Sequence, residues 1–352
     1  MKNSHGGNID EIKRNYKIKD LVDFSANINP LGLSKTVKEA MINAIDDVIH
    51  YPDITYLDLI NSISEFLNIE KNNIFLGNGA AEVIFNIVRG LKPKKALLYG
   101  PSFSEYSEAL NSVDCKIDYY VLKDKYNLDL GILDMINKDT DIIFICNPNN
   151  PTGALCKRQM IEEILKASKE EDITVVIDES FLEFVRNSKE ITLINSLKDY
   201  DNLIIVKSLT KIFAFPGIRL GYGLTKNKEY LEKINKNTIS WSVNTIANKA
   251  GIAALKESLY IKNTIEFVEE ENKFLFNNLS LFKDLKVFKG YANFIFFKTF
   301  KNIDLKEELL KYGILIRSCE NYIGLDKSYY RVAVRTREEN IKLIKSLQEI
   351  VN

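Results

Sequence analysis

The chain has 352 residues, 45% apolar and 27% charged, with 48 basic side chains against 48 acidic ones. That length suits two or three ordinary domains, and a formal charge of zero argues against a nucleic-acid partner while leaving room for a local pocket for a small anion. The polar start lacks the apolar stretch of a secretion signal; no apolar run approaches the roughly 20 residues that span a bilayer; and the four cysteines and two histidines form neither a C-x-x-C pair nor a His cluster, so the expectation is a cytoplasmic chain with reduced thiols, no resident metal and no membrane partner.

Along the chain, the first 40 residues hold too few periodic apolar positions to form a domain, and are expected to pack on another part of the chain or on a second subunit. A strand is predicted at 74–76. The apolar face of Val83, Ile84, Ile87, Val88 and Leu91 then predicts a helix. Short apolar runs at 96–99, 142–146, 173–177 and 203–206 suit strands buried on both faces of a parallel sheet. Between them Ile161, Ile164 and Leu165 mark another helix. This alternation predicts a doubly wound α/β domain over residues 45–235. Beyond it, Val243, Ile246, Ala247, Ala250 and Ala254 predict a helix, with helical sequence continuing toward Asn272. Runs at 292–297 and 331–334 predict strands, and Ile341, Ile344, Leu347 and Val351 a closing amphipathic helix. Residues 236–352, with 1–44, are read as a smaller α+β domain.

Four elements carry chemistry. Gly77-Asn78-Gly79-Ala80-Ala81 joins a strand to a helix, where free backbone N–H groups can meet a phosphate. Asn147-Pro148-Asn149-Asn150-Pro151-Thr152-Gly153 is a stiff turn whose Asn150 can donate to a phenolic oxygen. Asp178 ends a buried strand, in the crevice where α/β sheets bind ligands. Ser208-Leu209-Thr210-Lys211 follows the next strand, with Arg219 eight residues past the lysine. Burial or cationic neighbours make such a lysine a nucleophile, and a hydroxyl with a guanidinium suits a phosphate dianion. Each element alone has a plain structural explanation: a loop lysine, a helix-capping aspartate, a turn.

Together, in the order phosphate turn, asparagine turn, aspartate strand and lysine strand, they resemble the class I/II aminotransferase superfamily, the fold type I pyridoxal-phosphate enzymes. The resemblance implies a large domain built on a mostly parallel seven-stranded sheet, a smaller α+β domain, and a homodimer with its sites at the interface. It implies covalent attachment of pyridoxal 5'-phosphate to Lys211 and pairing of Asp178 with the ring nitrogen. Asn150 would bond the ring hydroxyl oxygen and Phe103 would stack on the ring. The cofactor's phosphate would be held by Gly79, Ala80, Ala81, Ser208 and Arg219, and by Tyr51 from the partner subunit. One position departs from the usual pattern: Asp-x-x-Tyr is common there, but this chain has Asp178-Glu179-Ser180-Phe181. Phe181 has no phenol to donate, which counts against an ordinary aminotransferase.

Further runs narrow the resemblance: His5-Gly6-Gly7-Asn8, Asn27-Ile28-Asn29-Pro30-Leu31-Gly32, Trp241-Ser242-Val243-Asn244 and Ile316-Arg317-Ser318-Cys319. They are similar to members that act on small phosphorylated amino acids, and imply removal of the carboxylate, with transamination as the alternative. Such a substrate needs two anion sites. Arg331 resembles the superfamily's carboxylate-binding arginine, a bidentate partner, with Asn150 beside it. His5, Asn27 and Arg317 are candidate phosphate ligands and Arg335 a weaker one; for Arg317 and Arg335 a plain salt bridge is the alternative.

Overall fold

A computed structural model of the protein describes residues 6–18, 20–123 and 126–351. Its centre is a seven-stranded sheet in the spatial order Ile74–Gly77, Gly221–Leu224, Leu203–Ser208, Thr174–Asp178, Ile142–Cys146, Lys95–Gly100 and Lys116–Val121. Gly221–Leu224 runs antiparallel to both of its neighbours, and the other pairings are parallel. The sheet is therefore mixed and mostly parallel. Four strands read from apolar runs lie at its middle, where both faces are covered and every residue of 142–146, 174–178 and 203–208 is buried. Lys116–Val121 lies at the edge, and its residues are exposed or half-buried. Lys116 and Asp118 break up its start, so only its second half reads as apolar.

The helix Gly79–Leu91 presents Val83, Ile84, Ile87 and Val88 to one face of the sheet and ends on Lys92 in the left-handed conformation. On the other face, Ile161, Ile164 and Leu165 of the helix Arg158–Glu170 join Ile143, Ile145, Val175, Ile177, Leu203 and Ile205 in the largest apolar cluster.

A second, four-stranded antiparallel sheet has the order Arg317–Ser318, Tyr329–Ala333, Phe294–Thr299, Leu285–Phe288. Helices Ser258–Leu279 and Arg337–Val351 cover it. The predicted strand at 292–297 begins two residues later, and that at 331–334 begins two earlier, because the register Phe294↔Ala333 to Lys298↔Tyr329 is set by cross-strand pairing. The helix marked by Val243 starts at Thr245, capped by the Asn244 side chain on the Ala247 N–H. A break at 255–257 separates it from Ser258–Leu279. In the last helix Ile341 is exposed and Asn340 is buried instead, donating to Glu271; a buried polar partner thus takes a place that the apolar pattern would give to isoleucine.

The N-terminal segment forms the helix Ile9–Tyr16 and a short strand Val22–Asp23, parallel to Ile314–Leu315. It therefore packs with the C-terminal third. Among the described residues no helix is long and apolar enough to cross a membrane.

Candidate active site

The parallel strands of the large sheet all point their carboxyl ends to one edge, and there they deliver Phe103, Asn150, Asp178, and Ser208 with Lys211. A cavity of about 350 Å³ opens at this edge. Its walls include Ala80 and Ala81 from the first helix of the sheet region, those five residues, and Arg219. Asn27, Arg317 and Arg331 close it from the side of the smaller sheet. Residues scattered over more than 300 positions thus converge on one cleft at the carboxyl ends of the strands, where open α/β sheets bind ligands.

Lys211 lies in the short helix Leu209–Ile212, directly after its strand. Burial, then the charges of Arg219 and Arg331, lower its amine to about 8, and Asp178 pulls the other way. A substantial fraction of the amine is therefore neutral near physiological pH, and so nucleophilic. Asp178 is buried, which raises its carboxyl, while the Ser180 and Tyr106 hydrogen bonds work to keep it ionised. The Ser180 N–H donates to Oδ1 at 2.9 Å and the Tyr106 hydroxyl to Oδ2 at 2.6 Å.

On the opposite wall, the Gly79 backbone at φ +82° lies so close to the Arg219 guanidinium that a Cβ there would sit 2.4 Å from Nη2. The helix N-terminus, the guanidinium and the Ser208–Thr210 hydroxyl pair (2.8 Å apart) surround one small space. These are donors of the kind that a phosphate dianion takes. A nucleophilic lysine, a buried carboxylate and this cradle, with Phe103 beside them, fit pyridoxal phosphate at each of its functional groups.

Arg331 is 5% exposed. Its guanidinium donates from Nη1 to Asn150 Oδ1 (2.5 Å) and from Nη2 to the Ser25 carbonyl (2.6 Å), and Nε has no partner. No carboxylate of a described residue forms an ion pair with it. A buried cation held only by neutral acceptors is costly unless an anion arrives. Asn27 also lines the cavity, and its buried Oδ1 has no hydrogen-bond partner. Arg317 lies half-buried at the same wall, donating to Asn321 and resting over the Tyr322 ring.

Two expected site residues lie elsewhere, and one is beyond view. Arg335 turns away: its guanidinium donates to Glu339 at 2.8 Å, one helical turn on, so the salt-bridge alternative describes it and it does not reach the cavity. Tyr51 is 80% exposed and stacks on Trp241, with ring centroids 4.5 Å apart, outside its own chain's cavity. His5 lies outside the described residues. Sequence reasoning missed Ser25, Tyr106 and Tyr322. Tyr322 lines the cavity and Tyr106 lies directly behind Asp178. The only sequence signal for Tyr106 was its position three residues after Phe103, at the start of a helix.

The fold and this site define a pyridoxal-phosphate enzyme. The chain belongs to the aminotransferase class I and II family, whose model matches residues 19–347. It is 37% identical over 353 residues to the threonine-phosphate decarboxylase of Salmonella typhimurium, covering 99% of this chain and 96% of that one. It is 31% identical to the histidinol-phosphate aminotransferase of Methanocaldococcus jannaschii, over 99% of this chain and 94% of that one. A crystal structure of the histidinol-phosphate aminotransferase from Clostridium acetobutylicum superposes with a TM-score of 0.89 at 35% identity, covering 94% of this chain and 99% of that one.

Proposed function

We propose that the protein decarboxylates L-threonine-O-3-phosphate to (R)-1-amino-2-propanol O-2-phosphate and carbon dioxide, a step of cobalamin biosynthesis. The observation that carries this reading is the buried, acid-free Arg331 in one cavity with Arg317 and Lys211. Two guanidinium groups beside a nucleophilic amine suit a small substrate with a carboxylate at one end and a phosphate at the other.

Pyridoxal phosphate, when bound, supplies an aldehyde for an amine to capture and a pyridinium ring that accepts the electron pair of a bond broken at the substrate's α-carbon. Ala80, Ala81, Gly79, Ser208 and Arg219 hold its phosphate, and Phe103 packs on its ring. Asp178 keeps a proton on its ring nitrogen, and Asn150 donates to its hydroxyl oxygen. Lys211, whose amine is lowered to about 8, is the residue that would hold its aldehyde carbon until a substrate amine takes that place. Arg331, with Asn150, takes the substrate carboxylate as a bidentate partner and orients it. Arg317, Asn27 and His5 take the substrate phosphate. When carbon dioxide departs, its bonding electrons stay behind, and Lys211, freed as an amine and charged by the proton that the substrate's ammonium sheds on binding, would deliver that proton to the α-carbon in place of the lost carboxylate. Phe181, buried against the edge of Phe294 (centroids 5.1 Å apart, 78°), offers no phenol where an aminotransferase of this superfamily usually has one.

Residues 45–235 are read as the cofactor-binding domain and 1–44 with 236–352 as the smaller one. Four unpaired cysteines suit a reducing compartment, the cytosol. The working unit is read as a homodimer. Val48, Ile49 and Trp241, all exposed, line one groove with Tyr51, and Ile42, Ile45, Ile54, Leu57 and Ile239 are exposed as well, more large apolar side chains than an ordinary surface scatters. A second copy that covers it would carry Tyr51 to the cofactor phosphate of its partner.

The second reading, histidinol-phosphate aminotransferase, is favoured by the 35% identity to the Clostridium acetobutylicum structure. Serine phosphate is a third possible substrate, one methyl smaller, for which an apolar pocket discriminates by only about 1–3 kcal/mol. Product analysis of the holoenzyme separates them. Carbon dioxide and aminopropanol phosphate from threonine phosphate are expected. Glutamate formed from 2-oxoglutarate only with histidinol phosphate would overturn the decarboxylase and leave the Lys211 chemistry standing.

A further inference from the structure

The Tyr106 hydroxyl lies buried behind Asp178, and nothing in the chemistry above uses it. We propose that Tyr106 is a positioning residue that aims Asp178 at the ring nitrogen of the cofactor and holds it there as a carboxylate. The proposal rests on the reading of Asp178 as the partner of that nitrogen.

The geometry is tight on every side. Tyr106 stands in the first turn of the helix Glu105–Asn111 and is fully buried. Its ring stacks on Phe144 of the neighbouring strand (centroids 5.1 Å, 20°) and receives the edge contact of Phe103 (5.7 Å, 86°). A ring fixed by two aromatic neighbours leaves its hydroxyl little freedom. That hydroxyl donates to Oδ2 of Asp178 at 2.6 Å, while the Ser180 backbone N–H donates to Oδ1 at 2.9 Å. Each carboxylate oxygen thus has a donor of its own and a lone pair to spare, and Asp178 lines the cavity.

Charge makes the same point. Asp178 is buried, so desolvation drives it toward the neutral acid. A protonated Asp178 could not hold a proton on a pyridine nitrogen. Hydrogen bonds to the charged form oppose that drift, and the Tyr106 bond is one of them. The phenol is itself held well above its ordinary value by burial and by the nearby carboxylate. It therefore remains the donor, and Asp178 the acceptor, across the working range. Tyr106 also touches Phe103, so one side chain sets both the ring's packing partner and the carboxylate behind it.

The test compares dissociation constants of the apo-protein for pyridoxal phosphate and for an analogue with carbon in place of the ring nitrogen. Their ratio reads the nitrogen–carboxylate pairing alone, without turnover. Wild-type protein is expected to favour pyridoxal phosphate. Tyr106→Phe keeps the stack on Phe144 and removes only the donor, and is expected to shrink that preference by about tenfold or more, the usual weight of a hydrogen bond to a charged group. Its kcat with threonine phosphate should fall while KM stays near wild type. A fluorinated tyrosine at position 106, a stronger donor of the same shape, should raise the preference, and serves if the phenylalanine variant does not fold. An unchanged ratio in both variants overturns the role of Tyr106 and leaves Asp178 in place. A wild-type protein that shows no preference removes the pairing itself and the proposal with it.

Discussion

At the residue scale, the properties of Lys211 follow from its surroundings. An ordinary lysine at neutral pH is neutral in about one molecule in 3,000. Lowered to about 8 by burial and by Arg219 and Arg331, Lys211 is neutral in about one in ten at pH 7. Capture of pyridoxal phosphate by the apo-protein should therefore quicken about tenfold between pH 6 and 7, and level off above pH 8. Arg331→Gln removes one of the cations and should move the inflection upward. A capture rate still climbing tenfold per unit above pH 9 would contradict the assignment. The same shift has a cost in stability. Because the folded-state value lies below the unfolded value, the folded chain holds fewer protons than the unfolded one between about pH 8 and 10.5, so apo-protein stability should rise with pH across that window. Below it the buried ammonium is a burden. Lys211→Met should then stabilise the apo-protein at pH 7 by about 1–3 kcal/mol, read by thermal unfolding.

At the scale of elements, two adjacent strands of the sheet are pinned together behind the site. Lys207 immediately precedes Ser208, and Glu179 immediately follows Asp178. On the face away from the cavity, Lys207 Nζ lies 2.8 Å from Glu179 Oε2 and 2.8 Å from Glu183 Oε1, with side-chain exposures of 5%, 0% and 17%. Glu179 also accepts from the Thr192 hydroxyl (2.7 Å) and the Leu193 N–H (2.8 Å). Burial works against the ammonium, but the two glutamates outweigh it and hold Lys207 above its ordinary value. Its contribution is therefore complete at neutral pH and is lost only in strong base. Lys207→Met strands the buried Glu179 carboxylate and the partly buried Glu183 and is expected to cost about 3–5 kcal/mol in urea unfolding. It should also weaken cofactor binding, because Asp178 and Ser208 sit on the loosened strand ends. A loss below about 1 kcal/mol would show that water reaches the pair. This brace illustrates what a sequence does and does not display. Buried strands were legible because both faces demand apolar side chains, and the site residues because they follow strand ends, with glycine before Ala80 and proline after Asn150 as further marks. Nothing local marks the role of Lys207, since the acids that neutralise it come from 24 and 28 residues upstream. Arg335 misled for the related reason that Glu339, which claims it, sits one turn along the following helix. Pairings of that kind are fixed by the fold and leave no local pattern.

At the scale of the whole molecule, Tyr51 is the residue that one chain cannot explain. It follows Ile49 and His50 on an apolar face, 80% exposed and stacked on Trp241, in a groove of about 620 Å³ that also takes in Val48, Asn244 and Ile246. Large exposed aromatic and aliphatic side chains gathered in one place are costly in water and are normally covered. A two-fold dimer would bury the same face on both copies and bring two of these tyrosines across the interface at once. Mixing two inactive variants tests this. Tyr51→Ala keeps Lys211 but deprives its partner of the phenol; Lys211→Ala keeps the phenol but cannot attach the cofactor. In a hybrid dimer, the chain that retains Lys211 receives Tyr51 from its neighbour, and one of the two sites is whole. Random reassortment of equal amounts should therefore restore about one quarter of wild-type activity. If Tyr51 instead served its own chain, each site in the hybrid would lack one of the two residues, and mixing would restore nothing. Ile49→Asp, which places a charge on the same face, should produce monomers and abolish the rescue in the same mixture, since the phenol then has no neighbour to reach.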